Sequence, residues 1–190
     1  MVTKTRKTKE TDIEISLKLY GVGKSNISTG VGFLDHMLES FSKHSLIDLD
    51  ITCKGDTHID DHHSVEDVGI VLGSLVHEAI YPAEGIERFG SANIVMDEAC
   101  VSCDLDISNR VYLVYDIDID GKVGSFDTEL VEEFFRAFVS SAKISAHIVS
   151  QRGKNKHHII EAAFKSLAVA IRRAISKNSR VGIPSTKDVL

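Results

Sequence analysis

TKTRKTKET (3–11), by β-branched threonines alternating with charged residues, and DIEISLKLY (12–20), by apolar residues alternating with polar ones, carry the patterns of strands. FLDHMLESFSKH (33–44) changes to a spacing of three and four and predicts a helix. LIDLDITC (46–53) returns to a strand, and SVEDVGIVLGSLVHEAI (64–80) predicts a second helix. After YPAEGIERFG the order restarts. SANIVMDEA (91–99), VSCDLDIS (101–108) and VYLVYDIDI (111–119) predict strands, TELVEEFFRAFVSSA (128–142) a helix, KISAHIVS (143–150) a strand, and HHIIEAAFKSLAVAIRRAISK (157–177) a long amphipathic helix.

Each half therefore reads as strands, helix, strand, helix. Local identity agrees, since HHSVED (62–67) and HHIIEA (157–162) each follow a polar loop, open an apolar helix, and lie 95 residues apart, half the chain. The expected fold is α+β, one unit of two repeats, about 1–85 and 86–190. Each repeat would be a small, mostly antiparallel sheet with two helices on one face, and no Gly/Ser or Pro linker separates them.

Composition narrows the function classes. With 43% apolar and 26% charged residues the chain has the balance of a soluble globular protein, and a net charge of -6 disfavours a phosphate-backbone binder. No stretch has the length and apolar character of a signal peptide or membrane span, and three cysteines are too few for a disulfide framework, so a cytoplasmic protein is expected. Cys100 and Cys103 resemble half of a zinc knuckle, but fall in an alternating strand that points them to opposite sides, which predicts a structural role.

Nine histidines are the compositional excess. The repeated His-His-x-x-Glu places His62, His63, Glu66 and His157, His158, Glu161 at helix starts. Positions three and four apart share a helix face, whereas adjacent histidines diverge, so each motif can feed two sites. Imidazole nitrogen with carboxylate oxygen suits Mn, Fe or Zn. His36 lies 26 residues before His62 and Glu133 lies 24 before His157, as plausible further ligands. Asp60 and Asp61 are expected either to cap the helix or to accept the second N–H of a ligand imidazole. His44 stands two turns from His36 on the same face and could look into the same pocket, whereas His58, His77 and His147 predict packing or surface roles. In the tail GIPSTKDVL, Ser185, Thr186 and Lys187 suit an anionic oxygen cluster, with Arg88 and Arg110 as further clamps.

FLDHML, HIDDHHSVED, ERFG, FDTELVEEFFRAF, GKNKHHIIEAAFK and the terminal PSTK together resemble the imidazoleglycerol-phosphate dehydratase family, in the right order over essentially the whole chain. The resemblance implies two halves of ribosomal-protein-S5 domain 2-like or ferredoxin-like topology. It also implies a 24-subunit homo-oligomer built from trimers, with active sites between subunits. It implies two Mn2+ per active site, held by His36, His62, His63, Glu66, Glu133, His157, His158 and Glu161. Arg88, Arg110, Ser185 and Lys187 would hold the substrate phosphate, Lys165, His44 and Glu10 would line the pocket, and Glu10 would be the catalytic acid/base. Members often carry His where this chain has Glu133, Gln where it has Ser40, and Gly where it has Asp188.

The implied reaction dehydrates D-erythro-imidazoleglycerol phosphate to imidazole acetol phosphate in histidine biosynthesis. Because no carbonyl acidifies the carbon that loses its proton, a metal-bound imidazolate and a diazafulvene-like intermediate are expected. A metal-storage protein would share the His/Glu ligands but has no use for phosphate clamps. A di-metal hydrolase would release phosphate. With its tail motif at the very end, the chain is expected to be complete.

Overall fold

The computed structural model describes residues 1–190. The first repeat comprises β1 (Val2–Lys7), β2 (Thr11–Lys18), β3 (Ser25–Ser28), α1 (Gly32–Ser45), β4 (Asp48–Gly55) and α2 (His62–Ile80). The second comprises β5 (Phe89–Met96), β6 (Ala99–Asp106), β7 (Tyr112–Asp116), β8 (Lys122–Val123), β9 (Phe126–Asp127), α3 (Glu129–Ala142), β10 (Ser145–Arg152) and α4 (Lys156–Ala174).

The sheet orders are β1-β2-β4-β3 and β5-β6-β10-β7. In both, the first three strands of the order pair antiparallel and the last joins parallel, β3 to β4 and β7 to β10. The α+β duplication expected from the sequence is therefore present, strand for strand. β3 and the β8–β9 hairpin are additions that no run of alternating apolar residues announces. Even the helix stops correspond. α1 ends at Leu46 (φ 62°) and α3 at Lys143 (φ 51°), both left-handed, and each is followed within two residues by the strand that returns beneath it.

Each sheet buries one face. In β2 and β4 the inward Ile13, Ile15, Leu17, Leu49 and Ile51 alternate with exposed or half-buried polar residues, as the period-two reading requires. The helices lie inside, between the sheets. Their close partners come from the opposite repeat, α1 along α4 and α2 along α3. Gly69 and Gly73 permit the second contact: a Cβ on Gly73 would sit 2.4 Å from the Phe138 carbonyl oxygen. At the junction, Phe164 of α4 packs on Phe134 and Phe135 of α3, with ring centroids 5.0 and 4.8 Å away. Burying a side chain of this kind contributes about 1.5–3 kcal/mol. The resulting hydrophobic cluster contains 52 buried residues drawn from both repeats.

No helix is long and apolar enough to cross a membrane. Its cysteines are free; Cys103 is buried and Cys100 half-buried on β6, and burial pushes the Cys103 thiol well above its ordinary range.

Candidate active site

Pairing α1 with α4 brings His36, from the first repeat, against the motif of the second. His36 Nε2 lies 3.5 Å and His157 Nε2 3.1 Å from the same oxygen, Oε2 of Glu161. The three ligand atoms lie within 4.8 Å of one another. Two imidazoles and a carboxylate oxygen at this spacing fit one divalent cation. Lys165 Nζ holds the other oxygen of Glu161 at 2.7 Å, so the carboxylate is oriented with Oε2 toward the histidines. Burial raises the Glu161 carboxyl, but Lys165, His36 and His157 outweigh it and hold the group ionised below its ordinary value. Phe33 stacks edge-on against His157 at 5.2 Å and closes one side of the triad.

The other repeat supplies a looser counterpart. His36 is the fifth residue of α1 and Glu133 the fifth of α3, so Glu133, His62 and Glu66 answer to His36, His157 and Glu161. Glu66 and Glu133 line one groove between α2 and α3, and His62 Nε2 lies 3.7 Å from Glu66 Oε2. These three do not close into a triad within the chain, and Arg136 Nε stands 3.9 Å from Glu133.

His63 and His158 diverge from their neighbours, as adjacent helical positions must. The rings of each pair cross at 82° and 81°. His158 Nδ1 lies 2.8 Å from Glu98 Oε2, and His63 Nδ1 lies 3.1 Å from both oxygens of Asp56. These hydrogen bonds raise both histidines above their ordinary pKa, while the bond to His158 and backbone donors hold Glu98 at about 2. Of the two roles expected for Asp60 and Asp61, Asp60 takes the one at the helix start, and neither accepts from an imidazole ring within the chain. Asp60 Oδ1 instead accepts the His62 backbone N–H at 2.9 Å, because the loop turns it toward the helix start. Glu10 approaches His63 Nε2 at 3.9 Å, and its carboxylate makes no hydrogen bond within the chain.

Sequence reasoning missed Glu98 and Asp56. The available signal was positional: Glu10 is the last residue before β2 and Glu98 the last before β6, an equivalence visible only once the strands are aligned.

The expected anion clamps also converge. Arg88, Arg110, Ser185, Thr186 and Lys187 line one cleft of about 480 Å³. Arg88 commits its guanidinium to Asp106, Nε at 2.7 Å and Nη2 at 3.1 Å, and to the Pro184 carbonyl at 2.7 Å. It thereby anchors the tail, while Arg110, with a side chain 68% exposed, and the exposed Lys187 present open charge. Asp188 adopts φ 55°, the left-handed conformation that explains why glycine is usual there and why Asp, which tolerates it, can substitute.

Three further residues named from the sequence, His44, Ser40 and His77, lie on the first two helices. His44 is half-buried two turns along α1 from His36, with its pKa lowered by burial, then by the charges of Lys165 and Arg172. Ser40 is buried with its hydroxyl unpaired. His77 packs on Tyr81 at 4.4 Å and faces the Ala142 carbonyl, the packing role expected of it.

Metal-type and anion-type groups occupy opposite ends of α4. His157, His158 and Glu161 are in its first turns, whereas the Arg88 backbone N–H donates to Ala174 O at its last residue. His158 to Ala174 is sixteen residues, about 24 Å at a helical rise of 1.5 Å. β5 measures the same gap from Arg88 to Asp97, nine residues or roughly 30 Å.

Comparison with known proteins gives this arrangement a family. The family model described as "Imidazoleglycerol-phosphate dehydratase" matches residues 29–171. A protein of that name from Sulfurimonas denitrificans is 77% identical over 190 residues, all of both chains. Among solved structures, imidazoleglycerol-phosphate dehydratase from Staphylococcus aureus is 42% identical with a TM-score of 0.83, covering 94% of this chain and 100% of that one. The Pyrococcus furiosus enzyme, solved in complex with (S)-C348, is 38% identical with a TM-score of 0.86 and covers 98% and 100%. With duplicated topology, histidine–carboxylate cluster and full-length similarity in agreement, the chain belongs to the imidazoleglycerol-phosphate dehydratase family.

Proposed function

We propose that this hydro-lyase of histidine biosynthesis works through two Mn2+ per active site, with each site assembled from more than one copy of the chain. The observation that carries the metal reading is the His36–His157–Glu161 cluster, whose donors converge without a structural fourth ligand. His62, His63, Glu66, Glu133 and His158 would complete the ligand set from neighbouring copies. A divalent ion held by these residues would supply Lewis acidity to stabilise negative charge on the substrate imidazole.

The remaining work falls to the chain's own groups. Lys165 fixes the Glu161 carboxylate through its 2.7 Å contact and presents positive charge beside it. Glu10, with no hydrogen bond in the chain to occupy it, would take the proton from the substrate carbon or protonate the departing hydroxyl. Arg110, Lys187 and Ser185 would hold the phosphate, with Arg88 securing the tail that carries two of them. Holding the phosphate at one end and the ring at the other aligns the three-carbon chain, so phosphate binding energy should appear partly in the rate.

The dimensions support a shared site. The substrate is on the order of 10 Å long at ordinary bond lengths. That is well short of the roughly 24 Å of helix backbone between His158 and Ala174, beside which Arg88 docks. In this reading a neighbour brings its anion cleft to this chain's histidines within a closed homo-oligomer, taken as the 24-mer of trimers that the family resemblance implies. The two repeats, about 1–85 and 86–190, act as one unit in it, and the enzyme is placed in the cytoplasm.

The test is turnover of imidazoleglycerol phosphate to imidazole acetol phosphate after chelation and metal-by-metal restoration. Mn2+ should restore activity to the assembled apo-protein, with no phosphate released. Equal inactivity of folded apo- and Mn2+-restored protein overturns the reading.

A further inference from the structure

In each repeat, one histidine of the pair turns its Nδ1 onto a carboxylate. Glu98 cannot readily turn away: its Oε1 accepts the backbone N–H groups of Lys154 at 3.1 Å and Asn155 at 2.7 Å, and only Oε2 faces His158. Asn155 in turn accepts from the backbone N–H of His157 and His158 through its side chain, so the entry to α4 is fixed. An ionised carboxylate has no proton to give, so Nδ1 must donate.

The two repeats reach this arrangement from different places. Asp56 follows β4; the corresponding position after β10 is Gly153, which has no side chain. Glu98 comes instead from the β5–β6 turn, and its counterpart Glu10 forms no such bond to His63 Nδ1. Two non-equivalent carboxylates on the same atom of two equivalent histidines mark the contact as a requirement rather than an accident of packing.

We propose that Glu98 and Asp56 are positioning residues that hold the Nδ1 proton of His158 and His63, leaving each Nε2 bare and aimed for a divalent cation. The proposal rests on the metal reading above. It also accounts for Glu10: with Asp56 serving His63, the turn carboxylate of the first repeat is released for proton transfer.

Glu98→Gln separates tautomer control from scaffolding. The amide oxygen can keep both backbone donors, which turns the NH2 toward His158, makes Nδ1 an acceptor and places the proton on Nε2. Mn2+ affinity of the assembled full chain is measured by equilibrium dialysis, with thermal unfolding of the metal-free protein alongside. The expected result is a loss of about 10- to 100-fold in affinity for Glu98→Gln at unchanged folding, with a smaller loss for Glu98→Asp, which keeps an acceptor. Asp56→Asn provides the same test at His63 should the Glu98 variants fail to assemble. Affinity within twofold of the unvaried chain for Glu98→Gln, or for Asp56→Asn where it is the variant that folds, overturns the proposal. Absence of Mn2+ binding by the unvaried chain would instead sink the metal reading, and this proposal with it.

Discussion

Two differently damaged chains should repair one another. His158→Ala removes a histidine at the start of α4, and Arg110→Ala with Lys187→Ala strips the open cations from the cleft at the other end of that helix. Each variant alone is expected to be inactive or nearly so. In an oligomer of both chains mixed at random in equal amounts, a site that takes its one His158 from one chain and its cleft from another is intact in about a quarter of cases. Activity should therefore recover to roughly 25% of the unvaried enzyme. The figure rests on a site that no single chain completes, in keeping with the roughly 24 Å of helix between His158 and Ala174, where Arg88 docks. Were both sets used by a single chain, every site would carry one lesion and nothing would recover. The assay is co-expression with two affinity tags, tandem purification of mixed oligomers, and turnover of imidazoleglycerol phosphate. Mixed oligomers no more active than their parents would refute the shared site.

Three further outcomes test the frame that holds these groups. Gly90→Ala would place a Cβ 2.0 Å from the Ala170 carbonyl oxygen, forcing β5 away from α4; a loss of about 1–3 kcal/mol or more is expected in denaturant unfolding, and an unchanged midpoint contradicts it. Asp67, buried on α2, takes Arg6 Nη2 at 2.8 Å and the Thr11 hydroxyl at 2.5 Å, so Asp67→Ala should cost about 1–3 kcal/mol, reduced from a fully buried pair because Arg6 is 39% exposed. The backbone N–H groups of Lys24 and Val22 hold the Asp48 carboxyl below its ordinary 3.8. Since the folded value is the depressed one, its stabilisation is complete above pH 3.8 and lost as pH falls through the folded value. Hydrogen exchange over residues 20–24 should accelerate in that window relative to the rest of the chain, and protection that is uniform down to pH 2 would count against it.

The periodic elements were legible because burial writes itself into them. α3 carries Leu130, Val131, Phe134, Phe135 and Phe138 on one face, and β2 alternates without a fault. β3 was not legible: its four residues SNIS are mostly exposed, and pairing with β4, rather than any pattern of its own, makes it a strand. The paired histidines declared themselves by repetition, and their divergence followed from helix geometry. What sequence could not reveal was partnership. His36 precedes His62 along the chain, but joins His157 because α1 packs on α4. Similarly, Arg88 and Lys187 could be named as anion-binding types, while their separation from the histidines depends on Arg88 lying at the far end of α4.

Crosswise helix pairing also bears on origins. α1 leans on α4, the second-repeat counterpart of α2, and α2 leans on α3, the counterpart of α1. This is the reciprocity of a two-fold dimer interface, written within one polypeptide. A half-length ancestor with one sheet and two helices would have left its helix faces bare alone and covered them by pairing with its twin. Fusion would make that twin permanent and release the two copies from having to be alike. The two turn carboxylates already differ in this way: Glu98 is tied to His158 Nδ1, while its sister Glu10 stands 3.9 Å from His63 Nε2.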